Sequence, residues 1–129
     1  MPKLPQPMKT RTITREELAA LIRTPEPASV DELDALRRLI RIAKSDTGQS
    51  RRVAAFLLAW WNCASCGGFD LTDLWAVDTA IAVDMVTVFG LVARVHQYPD
   101  KVDPAFKADF AAIIRRWRPE LLADDSDNA

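Results

Sequence analysis

Cysteine and histidine are scarce in this chain, and each scarcity closes a class of function. Two cysteines, Cys63 and Cys66, cannot build a disulfide framework. With one histidine, His96, they fall short of the four ligands of a closed zinc site, so no metal and no cofactor is expected. Charge of one sign is also missing: 17 basic residues against 18 acidic ones give a formal net charge of -1, and no overall field drives the chain toward nucleic acid or anionic lipid. The N-terminal MPKLPQPMKTRTITREEL holds no apolar run of a secretory signal, and a cytoplasmic location is the expectation. No run alternates with period two, which leaves no strand to expect, and no internal repeat is visible. The Gly48 turn ahead of Arg51 and Arg52 lacks the glycine-rich, lysine-bearing pattern of a nucleotide loop.

One further absence organises the rest. No Lys or Arg occurs between Arg52 and Arg94, inside a stretch from Arg51 to His96 where two apolar helical patterns flank a Cys-Gly-Gly turn. Its four acids, Asp70, Asp73, Asp78 and Asp84, must therefore be solvated, serve as caps, or pair with other parts of the fold. The twenty residues Leu74 to Ala93 are long enough to span a bilayer, but Asp78 and Asp84 lie inside them. Each carboxylate would cost about 2.5 to 3.5 kcal/mol near the helix centre, which argues against a membrane.

The chain divides into a flexible, proline-bearing arm (1–12), one helical domain (13–121) and an acidic tail (122–129). Thr14-Arg-Glu-Glu17 and Ser29-Val-Asp-Glu32 are capping boxes that open two helices, the first carrying Leu18, Leu21 and Ile22. The second buries Leu33, Leu36, Leu39, Ile40 and Ala43 and runs to about Lys44. Ser50 is read as the N-cap of a third helix, apolar on two sides and hence buried between neighbours, that stops near Cys66-Gly67-Gly68. Leu71, Leu74, Ile81, Met85, Val88, Val92 and Val95 recur at spacings of three and four, with a break at Asp78 slightly favoured. Asp103 and Pro104 are read as N-cap and first residue of a last helix bearing Phe106, Phe110, Ile113, Ile114 and Trp117. The expected fold is all-α, a single compact bundle of about five helices, with Arg51 to Asn62 and Leu71 to His96 at its centre.

The stretch AFLLAWWNCASCGGFDLTDLWAVDTAIAVDMVTVFG, with YPD and WRPEL after it, resembles an uncharacterised family of small proteins encoded on plasmids and integrated elements of proteobacteria. The resemblance runs from about Thr47 to Leu121 and implies no catalytic residue. What it implies is context: regulation of conjugation, host takeover, or the blocking of a host defence system.

Several constellations could carry chemistry. Cys63 and Cys66 have the spacing of a zinc knuckle or redox pair, and are candidate reactive thiols, but the α/β setting of a thioredoxin-like site is missing. Asp70 and Asp73 could hold a divalent cation, though helix capping accounts for both. Asp78 and Asp84 are candidate buried acids on different helical faces, a poor acid and base pair, and at least one is expected to meet an arginine, with Arg51, Arg52 or Arg94 favoured. His96 reads as a surface or capping residue. Arg37, Arg38, Arg41, Lys44, Arg51 and Arg52 form a candidate basic interaction face, with Arg115, Arg116 and Arg118 as a second cluster. The helix after Arg52 is too apolar to read bases, so salt bridges to the isolated aspartates are favoured over nucleic acid. No nucleophile, base and orienter assemble, and no catalytic residue is assigned. The reading is a non-enzymatic protein-interaction or regulatory module, in which some of the four tryptophans anchor a protein partner and self-association is open. A nucleic-acid-associated accessory protein using the Arg37 to Arg52 face is the alternative, and a small metal- or carboxylate-dependent enzyme a minor one.

Overall fold

The computed structural model describes residues 12–21 and 25–122, all helix, turn and connection without a strand. The expected arm, apart from Thr12, and all of the tail after Leu122 lie outside the described residues, as does Ile22. Leu122 itself belongs to a helical turn, its amide donating to the Pro119 carbonyl at 3.1 Å. Among the described residues no helix is long and apolar enough to cross a membrane.

Helix α1 (Arg15–Leu21) begins where Thr14 Oγ1 accepts the Glu17 amide at 3.0 Å. Helix α2 (Val30–Ala43) opens on a complete capping box: Ser29 Oγ accepts the Glu32 amide at 3.2 Å, and Glu32 Oε1 accepts the Ser29 amide at 2.9 Å. Its buried side, Ala35, Leu36, Leu39, Ile40 and Ala43, is the expected stripe, with Leu33 only partly covered. A fully buried leucine there contributes on the order of 2 kcal/mol.

Helix α3 (Gly48–Cys66) is capped by Thr47, whose Oγ1 accepts the Ser50 amide at 2.9 Å. This corrects the assignment of Ser50 as cap. Ser50 is fully buried in the first turn, its hydroxyl 2.7 Å from Thr47 Oγ1. The helix ends as expected at Gly67, whose φ of 94° suits a residue without Cβ. Asn62, with φ -165° and ψ 89°, breaks it before that, and the Asn62 carboxamide oxygen restarts the ladder by accepting the Ser65 amide at 3.1 Å.

The next apolar pattern divides at Asp78 into a 3₁₀ helix (Leu71–Ala76) and α4 (Thr79–Val95). Tyr98-Pro-Asp-Lys starts a short helix, α5 (Pro99–Val102), where only a terminator was expected. Helix α6 (Phe106–Trp117) starts later than Pro104, because Asp103 uses its carboxylate to accept the Ala105 amide at 2.9 Å and its carbonyl to accept that of Phe106 at 3.0 Å, closing a turn first.

The fold is a compact all-α assembly in which α2 packs against α3, α4 and α6. The shared central element is thus α2 at least as much as α3, since its stripe faces three neighbours. Val53, Ala54, Leu57 and Leu58 of α3, Met85 and Val88 of α4, and Phe106, Phe110 and Ile113 of α6 close the core. Trp61 stacks on Phe110 with centroids 5.2 Å apart, and Trp60 meets the same ring edge-on at 6.4 Å. Trp117 packs inward as well, its indole donating to the Ala43 carbonyl at 2.7 Å.

Candidate interaction surface

The four acids of the cation-free stretch each find a different solution. Asp70 caps the 3₁₀ helix, accepting the Thr72 amide at 2.9 Å and the Thr72 hydroxyl at 2.8 Å, and these bonds hold its carboxyl below the usual range. Asp73 meets Arg52 Nε at 3.5 Å. Asp84 receives a bidentate guanidinium, Arg38 Nε to Oδ2 and Nη2 to Oδ1, both at 2.9 Å, and its side chain is 15% exposed. The arginine comes from α2, and not from Arg51, Arg52 or Arg94. Asp78 is not buried: it lies exposed at the start of α4, where Gln49 Nε2 donates to its carboxylate at 3.2 Å and its own amide donates to Gln49 Oε1 at 2.6 Å. The physical reason is the chain break, which turns Asp78 off the stripe and toward solvent.

Arg94 serves another acid. Its Nη2 donates to Glu32 Oε1 at 2.8 Å, Nη1 reaches Glu32 Oε2, Nη2 lies 3.3 Å from the Pro27 carbonyl, and Nε lies 3.3 Å from Glu26 Oε2. The guanidinium, aided by the Ser29 amide and hydroxyl, holds the buried Glu32 carboxyl down to about 2 against the opposing effect of burial.

The same pairing empties much of the basic face. Arg37 meets Asp34 at 3.3 Å, Arg38 is held by Asp84, Lys44 reaches Asp109, and Arg52 takes Asp73. A phosphate backbone would have to compete with these carboxylates for the cations. In the second cluster, Arg118 Nε donates to the Cys66 carbonyl at 2.9 Å, and Arg116 lies 3.9 Å from Asp46.

The thiols are unequal. Cys63 is exposed and Cys66 buried, and burial pushes the Cys66 thiol up. Among the described residues no three His, Cys, Asp or Glu side chains converge as metal ligands. His96 is an exposed C-cap of α4 in the left-handed region, φ 53°.

The largest surprise is apolar. Leu71 belongs to the expected stripe yet is 67% exposed, and Trp75 is 85% exposed. On α4, Val83, Val86 and Phe89 point outward at spacings of three, each more than half exposed. Leu71, Val86 and Phe89 rim a groove of about 210 Å³ whose walls are Phe56, Phe69, Leu74 and Met85, with Phe56 and Phe69 edge-on at 5.2 Å. Every described side chain on its lining is apolar. A signal was present in the sequence, since AIAVDMVTVFGLVARV is apolar on more sides than one buried stripe needs.

Neither a search of curated proteins nor one of solved structures found a match. A family of unknown function (DUF7673) matches residues 33–118, from the middle of the first turns of α2 to the end of α6, and the chain belongs to that family.

Proposed function

We propose that this protein is a non-enzymatic interaction module that docks a partner protein on the apolar face formed by the 3₁₀ helix and α4. The observation that carries the reading is the exposure of Leu71, Val86 and Phe89 on the lining of an apolar groove, with Trp75 and Val83 exposed on the same two helices. Leu71, Val86 and Phe89 are each 63% exposed or more at that lining, apolar side chains left in water where a partner would cover them. The groove exceeds the ~150 Å³ that encloses a benzene ring, so it takes one bulky apolar side chain. Asp70 and Asp78 are exposed and form no ion pair among the described residues, and the chain supplies no Lys or Arg between Arg52 and Arg94. Charge complementarity therefore favours a partner helix with an apolar anchor and Lys or Arg flanks. The resemblance to proteins of plasmids and integrated elements supports a regulatory task in such an element, including inhibition of a host defence system.

The test is affinity capture from the native host with the wild-type chain and with Phe89→Asp, read by mass spectrometry. Phe89 is 63% exposed, so the variant keeps its helical circular dichroism. Loss of a specific protein with Phe89→Asp supports the reading, and identical captured sets refute it. Sedimentation of both proteins identifies the competing occupant: a wild-type dimer that Phe89→Asp dissolves would make this face a self-association surface.

A further inference from the structure

The break in α3 opens a second depression, independent of the apolar face. It is a cleft of about 550 Å³, within the range of small-molecule sites, lined by Trp60, Trp61, Asn62, Cys63, Tyr98 and Asp100 along with flanking alanines. A shallower one adjoins it across Trp60 and Tyr98 and is bordered by His96. We infer that this cleft binds an organic ammonium group.

Three features of different origin point to a cation. The first is aromatic: Trp60, Trp61 and Tyr98 contribute indole and phenol rings, whose faces attract ammonium groups. Trp60 and Trp61 are fixed from behind by Phe110, and the Trp60 indole is held by the Gln97 carbonyl at 3.0 Å, so the walls are built before any ligand arrives. Tyr98 is 63% exposed. The second is the carboxylate of Asp100, the one acidic side chain among the described residues of the lining. The third is the backbone. An extended Asn62, itself on the lining, breaks α3 at the cleft, and a helix broken there turns the negative end of its dipole toward that break. Among the described residues no Lys or Arg lines the cleft. Ring faces, carboxylate and helix end all favour positive charge, while the apolar alanines and rings favour carbon around it.

The measurement is titration of the full chain with choline and with 3,3-dimethyl-1-butanol, its neutral isostere, followed by calorimetry and by tryptophan fluorescence. Choline is expected to bind saturably, with a Kd on the order of 1 mM and about tenfold tighter than the neutral isostere. Tyr98→Ala, at an exposed ring, and Asp100→Asn, a near-isosteric change at a half-buried side chain, should each weaken it about fivefold while leaving the helical circular dichroism in place. n-Butylammonium is the second arm: tighter binding than choline marks a primary amine such as a lysine side chain as the ligand, weaker binding a methylated one. Equal affinity for choline and the alcohol, absence of saturable binding by both cations, or an Asp100→Asn protein that binds like wild type would overturn the inference.

Discussion

Replacing Glu32 by Gln isolates one charge while keeping a side-chain oxygen for the Ser29 amide, and its effect should depend on pH in a defined direction. In the folded chain the carboxyl titrates at about 2, against 4.5 when unperturbed, chiefly because Arg94 donates to it and then because the Ser29 amide and hydroxyl do so as well. A shift of this size corresponds to roughly 3 kcal/mol. Arg94 is 35% exposed and screened by water, which reduces the figure to about 1 to 2 kcal/mol. Because the folded value lies below the unfolded one, the stabilisation is complete above about pH 4.5 and disappears as the pH falls toward about 2. Urea unfolding of wild type and Glu32→Gln, in steps from about pH 7 to about pH 2.5, should show a difference of about 1 to 2 kcal/mol that narrows only below about pH 4.5. A difference that stays constant across that range, or one under about 0.3 kcal/mol at neutral pH, would refute the assignment of the stabilisation to the ion pair.

Asp84→Ala should destabilise the fold by about 1 to 3 kcal/mol in the same assay, because it leaves the Arg38 guanidinium without its bidentate partner, whereas Asp78→Ala should cost well under about 1 kcal/mol. Equal losses would contradict the burial difference between the two acids. Gly67→Ala forces a Cβ onto a φ of 94° and should cost about 1 to 2 kcal/mol, read as a lowered thermal midpoint, although the space around the Cβ is open. Thiol titration with a chromogenic disulfide should modify Cys63 in the native protein and Cys66 only after unfolding; simultaneous modification would show that Cys66 is not protected.

What could be read from the sequence was local. The capping box at Ser29 and Glu32 and the stripe from Leu36 to Ala43 involve residues three or four apart, so one helix specifies them. The break at Asp78 and the stop at Gly67 were legible for the same reason. The choice of Thr47 over Ser50 depended on how a six-residue turn closes, and two hydroxyls three residues apart both fit the pattern. The Asn62 break was hidden inside AWWNCAS, whose apolar spacing continues through it; only the Asn-x-x-Ser capping arrangement marked it. The partner of Asp84 was illegible in kind, since Arg38 lies 46 positions away and only the packing of α2 on α4 brings the two together. The exposed face failed for a different reason. Periodicity identifies an apolar side but not which of two apolar sides of α4 is covered, and Met85 and Val88 are inside while Val86 and Phe89 are outside.

The two bidentate contacts between α2 and α4 also act as a code for direction. Along α2 the order is Glu32 then Arg38, and along α4 it is Asp84 then Arg94. Running antiparallel, acid meets base at both positions. Running parallel, Glu32 would face Asp84 and Arg38 would face Arg94, two repulsions in place of two attractions. Four charged side chains thus penalise the reversed alignment of the two helices, giving direction to a seam that the buried apolar side chains of α2 and α4 hold shut.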